Sequence, residues 1–238
     1  MIVQNIELTR ILLILFLGSF ISGFFFYLAY KILIRNFSRI TLTLSSFYIF
    51  PAIGFAINIV FLILSKTGGE EKILYILYFI TFFFILFGAI FIPIFIVNIL
   101  NLEPGYSSKR DIIIIIIYAI CIIILMSFPG GITVNEKTDW IPIYSWTFFI
   151  ISCILFTSIF ILTFILSFRL YRKLEDTKLK KKLKLFFIGI FVLFITIYGS
   201  ALYNTWNYPF FRVIWTFLSS ILVITSGILI YYGIGQNL

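Results

Sequence analysis

The sequence predicts an all-α, polytopic membrane bundle of seven transmembrane helices. It reads as one domain over residues 1–238, with the N-terminus outside and the C-terminus cytoplasmic. Three observations predict this. The chain is 62% hydrophobic and only 11% charged, with a mean hydropathy of +1.17, whereas soluble domains are roughly 45–50% apolar and about a quarter charged. Its apolar runs are continuous, as in Ile112–Met126, while a membrane barrel alternates apolar and polar residues over ~10-residue strands. Its lysines and arginines also gather in every second loop. Backbone in lipid must satisfy its own hydrogen bonds, so continuous apolar runs mean helices.

A span needs ~20 apolar residues. Seven segments qualify in order: Ile11–Ile34, Ile40–Leu64, Ile73–Leu100, Ile112–Phe128, Trp140–Phe168, Leu183–Tyr203 and Phe211–Tyr232. The first is too long for a signal peptide and has no small-residue cleavage site after it, so it reads as a retained anchor. The fourth is the shortest. Its Ile112–Ile117 run is apolar all round, which predicts a peripheral, lipid-facing helix. Pro51, Pro93 and Pro129 interrupt or border spans, and a proline inside a helix frees a carbonyl and favours a kink. Asn58, two turns beyond Pro51, is placed to satisfy backbone groups or a ligand.

The net charge of +9 is distributed as a topology signal and implies no nucleic acid. Lys31, Arg35 and Arg39 follow the first span, and Lys109 and Arg110 follow the third. Eight cations and two acids, Glu175 and Asp176, fill Arg169–Lys184 after the fifth. The opposite loops hold only Arg10, Lys66, Lys72, Lys137 and Arg212. Cytoplasmic loops carry the Lys and Arg excess, which sets the direction given above. Arg169, Arg172, Lys173, Lys180, Lys181, Lys182 and Lys184 are the candidate contacts for anionic lipid headgroups or for a cytoplasmic partner. Leu170, Leu174, Leu179 and Leu183 suggest that the flanking helices continue past the bilayer there.

Missing residue types exclude several functions. There is no His, and Cys121 and Cys153 both fall inside spans, so neither a zinc site nor a disulfide framework is expected. No Asp, Glu, Lys or Arg falls mid-span, which argues against pumps and proton-coupled transporters. Glu70–Glu71 resembles the glutamate pair of intramembrane prenyl-protein proteases, but the histidines of that family are missing. The last span lacks a Schiff-base lysine for retinal. Catalysis of a familiar hydrolytic or metal-dependent kind is therefore not expected, nor is a cofactor.

What remains inside the spans is small and uncharged. Gly18, Ser19, Ser22 and Gly23 lie on the first span, and Ser145, Ser152 and Thr163 align on the fifth. Gly189, Thr196, Gly199, Ser200 and Asn204 share a face of the sixth, and Thr216, Ser219, Ser220, Ser226 and Gly227 share a face of the seventh. Such faces are where membrane helices pack. All four tryptophans, Trp140, Trp146, Trp206 and Trp215, fall at the outer ends of spans five to seven, beside Tyr144, Tyr203, Tyr208 and Arg212. An interfacial aromatic belt explains part of this. Its one-sidedness also fits an outward-facing pocket for a lipophilic ligand. The candidate pocket residues are Trp140, Trp146, Tyr203, Asn204, Trp206, Trp215 and Ser219.

The last third runs from the basic loop through Leu185–Gly189, an apolar span to Tyr203–Asn204, a Pro209 turn and a final span ending at Tyr231–Gly235. Over residues 165–235 it resembles the seven-helix sensor region of prokaryotic histidine kinases. The resemblance implies a sensor that passes a helix rearrangement to a cytoplasmic module. The sequence stops at Leu238 and no kinase module is expected, so a free-standing version would act on a separate partner. The leading expectation is thus a non-enzymatic, receptor-like membrane protein. A facilitative transporter or channel for an uncharged solute is a second expectation, and an accessory subunit bound to other membrane helices a third.

Overall fold

The computed structural model describes residues 2–100 and 108–237. Seven helices follow one another among them: α1 (Ile2–Leu33), α2 (Arg39–Thr67), α3 (Glu71–Leu100), α4 (Ser108–Met126), α5 (Trp146–Lys173), α6 (Thr177–Thr205) and α7 (Pro209–Gly233). Their ends follow from local chemistry. Ser38 caps α2 in a capping box with Thr41, and Gly68 closes it in the left-handed conformation (φ 83°), which glycine adopts without a Cβ penalty. Ser145 and Asp176 cap α5 and α6 through their side chains. Pro209 occupies the first turn of α7, where its missing N–H costs nothing.

All the helices except α4 are long and apolar enough to cross a membrane, counting Ile14–Leu33 of α1. The fourth has 19 residues, about 28 Å of helix at 1.5 Å per residue, and its first turn carries Lys109, Arg110 and Asp111. It packs against α2 and α3. At its start Asp111 pairs with Arg39 at the head of α2 (2.7 Å). Midway, the Tyr118 hydroxyl donates to the Leu86 carbonyl (3.1 Å). Ile112, Ile113, Ile116 and Ile117 are all exposed while Ile122 is fully buried, so one side of the run faces outward.

Successive helices alternate in direction. Ser22 Oγ donates to the Ala52 carbonyl (2.9 Å), a Cβ on Gly54 would lie 3.0 Å from the Thr81 carbonyl, and Thr157 bonds Tyr198 (2.7 Å). The chain closes on itself where Tyr48 donates to the Gly227 carbonyl (3.0 Å) and Arg35 to that of Gln236 (2.5 Å). One end of the bundle therefore gathers the α1–α2 and α5–α6 turns and the start of α4; this is the basic end. At the other, the hairpin end, lie the α2–α3 and α6–α7 turns and the α4–α5 connection. The side chain of Arg10, counted with the hairpin end in the charge balance, lies outside the described residues.

The α4–α5 connection corrects one boundary. The sequence starts the fifth span at Trp140, but the helix begins at Trp146. Before it, strands β1 (Ile132–Thr133) and β2 (Ile143–Tyr144) pair antiparallel. Between them Asn135 caps a 3₁₀ turn, and Asp139 and Trp140 are both left-handed (φ 49° and 59°). Pro129, Gly130 (φ 67°) and Pro142 punctuate the segment, and proline ends or excludes helix. Gly131 packs on the buried ring of Phe148, and Tyr144 and Val134 are buried. The hairpin is anchored to the bundle on both sides.

Two helices are broken at one level. Pro51 sits inside α2 and, lacking an N–H, frees the Phe47 carbonyl. Helix α3 tightens to a 3₁₀ turn at Gly88–Ile90, just ahead of Pro93, whose ring frees the Ala89 carbonyl. Gly88 lies against the Pro51 ring, where a Cβ would come within 2.6 Å of Cγ and Cδ. Helices α6 and α7 are in close contact as well: a Cβ on Gly189 would stand 3.0 Å from the Ile230 nitrogen, and one on Gly233 2.6 Å from that of Phe186. Of the small residues expected to pack α1, Ser22 reaches across to α2, but Ser19 bonds its own helix and Gly23 faces open space. Cys121 and Cys153 are free and half-buried.

Candidate functional site: a cavity at the hairpin end

A cavity of about 290 Å³ lies in the hairpin-end half of the bundle, close to the smaller pockets that hold drug-sized ligands. Its lining follows α2 from Lys66 down to Pro51, about 22 Å of helix. Lys66, Asp139, Trp140, Ile141 and Pro142 ring the mouth. Pro51, Phe47, Leu86 and Ala89 form the floor, so the two broken helices meet beneath it. Aromatic rings dominate the walls, among them Phe25, Phe55, Phe61, Phe82 and Phe156.

The polar wall groups are few and neutral. Thr81 and Ser152 are 3% and 1% exposed, and neither Thr81 Oγ1 nor Ser152 Oγ has a hydrogen-bond partner. Asn204 Oδ1 is likewise unpartnered, while the Asn204 side chain bonds Tyr144. The Tyr144 hydroxyl also pairs with that of Tyr78. Burial pushes the Tyr144 phenol up, against the smaller lowering effect of its bonds with Tyr78 and Asn204, so it stays neutral at physiological pH. Lys66 and Asp139 are the charged residues in the lining, and both are exposed at the mouth. Buried hydroxyls and amides are nearly always paired, which makes three open ones along one void unusual.

No family model, curated protein or solved structure matches the chain.

Three of the seven pocket residues expected from the sequence, Trp140, Tyr203 and Asn204, line this cavity. The other four lie elsewhere. Trp146 (58% exposed) stands at the start of α5 against Phe149. Trp206 (49%) stacks on Tyr208. Trp215 stacks on Phe211 and reaches the cavity only through Ser200, to whose Oγ its indole donates (3.3 Å). Ser219 Oγ bonds the Thr216 carbonyl of its own helix (3.2 Å). Arg212 is buried, donating from Nε to the Tyr203 carbonyl (3.1 Å) with its guanidinium over the Tyr203 ring.

The candidate cations sit together at the basic end. Arg169, Arg172, Lys173, Lys181 and Lys184 are exposed, and Lys180 and Lys182 are half-buried. Arg172 lies over the Phe168 ring and Lys180 near Tyr171. Thr81 and Tyr78 are not among the candidate residues that the sequence singles out. Thr81 had a signal: it is the sole Ser or Thr between Ile73 and Leu100, and a lone hydroxyl in so apolar a span needs a partner.

Below the floor the centre of the bundle is filled by side chains. Ile32, Leu44, Phe95, Ile96, Phe186 and Ile230, from five helices, are all fully buried. The cavity thus reaches the residues of the hairpin on one side and stops above packed side chains toward the basic end.

Proposed function

We propose that this chain is a receptor-like, seven-span membrane protein that binds a small, largely apolar ligand from outside. The hairpin end faces out, the basic end faces the cytoplasm, and the cavity is the binding site. One observation supports the reading: the cavity's lining reaches the hairpin and stops above packed side chains toward the basic end. A solute path would need polar lining through to both faces. Direction rests on the Lys and Arg excess at the basic end. The reading takes the fourth helix as the seventh crossing, which is supported by its start pairing with Arg39 and its end leading into the hairpin. Residues 165–235, with their likeness to histidine-kinase sensor regions, fit a role in which α5, α6 and the basic turn carry the signal. The cations from Arg169 to Lys184 then meet anionic headgroups or a cytoplasmic partner.

Direction is tested by labelling intact cells with a membrane-impermeant maleimide, after Cys121 and Cys153 are replaced by Ser. Trp206→Cys should label from outside, and Lys181→Cys only after permeabilisation; the reverse pattern would invert the site. Function is tested in proteoliposomes, where glycerol and urea should cross no faster than through protein-free vesicles. Protein-dependent flux of either would replace the receptor reading with a facilitative transporter.

A further inference from the structure

The cavity has a polarity pattern more specific than its apolar walls suggest. Thr81 Oγ1 and Ser152 Oγ are both deeply buried, both on the lining and both without a partner. They project from different helices, α3 and α5, and, unlike many small hydroxyls of the bundle, neither bonds a carbonyl of its own helix. Thr196 and Ser220, for example, each bond the carbonyl four residues back. Asn204 Oδ1 adds an open acceptor nearer the mouth. A carbonyl oxygen only accepts, so what completes it must donate. No cation or carboxylate lies inside the mouth to neutralise a charged ligand, and an ionised group buried without a counter-charge is strongly disfavoured.

We infer that the ligand is a neutral, hydroxyl-bearing amphiphile: an aliphatic or aromatic alcohol whose hydrocarbon part lies among the phenylalanines. Its O–H is held by Thr81, Ser152 or Asn204. A hydroxyl both donates and accepts, which matches a site offering two hydroxyls and a bare carbonyl oxygen. A ketone or ester would leave Asn204 Oδ1 unsatisfied, and an alkane would leave all three. The inference rests on the reading of this cavity as a ligand site, and its test separates the two.

Full-length protein in nanodiscs of one zwitterionic lipid is titrated with 1-octanol, octane and octanoate at pH 7. Binding is read as the emission difference between wild type and Trp140→Phe, with each probe's bilayer concentration fixed from protein-free discs. One net hydrogen bond should make 1-octanol bind about tenfold more tightly than octane. Octanoate should bind at least about a hundredfold more weakly than 1-octanol. Thr81→Val combined with Ser152→Ala should bring 1-octanol down to octane and leave octane unchanged. If that variant does not fold, the wild-type ratios decide alone. Equal binding of octane and 1-octanol would overturn the alcohol inference while leaving the ligand site standing, as would octanoate matching 1-octanol. No response to any probe would sink the site itself.

Discussion

Ser152→Phe is expected to abolish ligand binding while leaving the bundle as stable as before, or more so. Ordinarily a large side chain forced into a packed core costs about 1–3 kcal/mol. Here the side chain at position 152 is 1% exposed and lines a void of about 290 Å³. A cavity of roughly 150 Å³ already takes up benzene, so one phenyl ring fits without displacing the wall. In a bilayer the gain is mainly dispersion, because lipid tails are as apolar as the protein interior. Removing an unpartnered hydroxyl contributes a further ~1–3 kcal/mol. Affinity should fall at least ~100-fold, about 2.7 kcal/mol, because the ring occupies the ligand's place. Thermal unfolding in detergent and the Trp140 emission titration read the two effects separately. A fall in melting temperature together with lost binding would mean that the site is packed and that the substitution merely unfolds it.

The opposite signs of those effects show which features of the protein are legible in its sequence. The long apolar helices and their order, six of them able to cross a membrane, follow from hydropathy, because lipid forces any long apolar run into helix. The small-residue faces of the sixth and seventh spans are readable for a related reason: helices in lipid approach closely only where side chains are small. The cavity was half visible. Trp140, Tyr203 and Asn204 stood out by residue type, but Trp146, Trp206 and Trp215 looked the same, since an aromatic belt and a pocket rim draw on the same residues. Telling them apart needs the hairpin. Its strands are two residues each, too short for an alternation pattern, and it was the left-handed Asp139–Trp140 pair that swung Trp140 over the mouth. Thr81 stands out only as the lone hydroxyl of its span; that Ser152 lines the same void from a separate helix is not legible, because no local period links the two.

Gly88→Val is expected to be strongly disruptive, costing about 3 kcal/mol. The reason is not backbone freedom, since Gly88 is right-handed (φ −56°). Replacing a helical glycine with alanine ordinarily gains about 1 kcal/mol of propensity, so the expected sign rests wholly on contact. A Cβ there would lie 2.6 Å from Cγ and Cδ of Pro51 and 3.2 Å from the Phe47 carbonyl oxygen. Neither neighbour is the tip of a flexible chain. One is a closed ring inside α2, and the other is the carbonyl that this ring has freed. The two defects therefore fit each other, the gap in one helix receiving the proline of the other. That fit predicts a coupling: Pro51→Ala and Gly88→Ala should each destabilise the protein, but the double variant should lose less than the sum by about 1–2 kcal/mol. Thermal unfolding of all four proteins measures it, and strict additivity would show that the contact carries no energy. Because Pro51 and Ala89 also form the cavity floor, this is where an occupied cavity would bear on the plug beneath it. Ligand added to the wild type should raise the melting temperature, and added to the double variant it should raise it less.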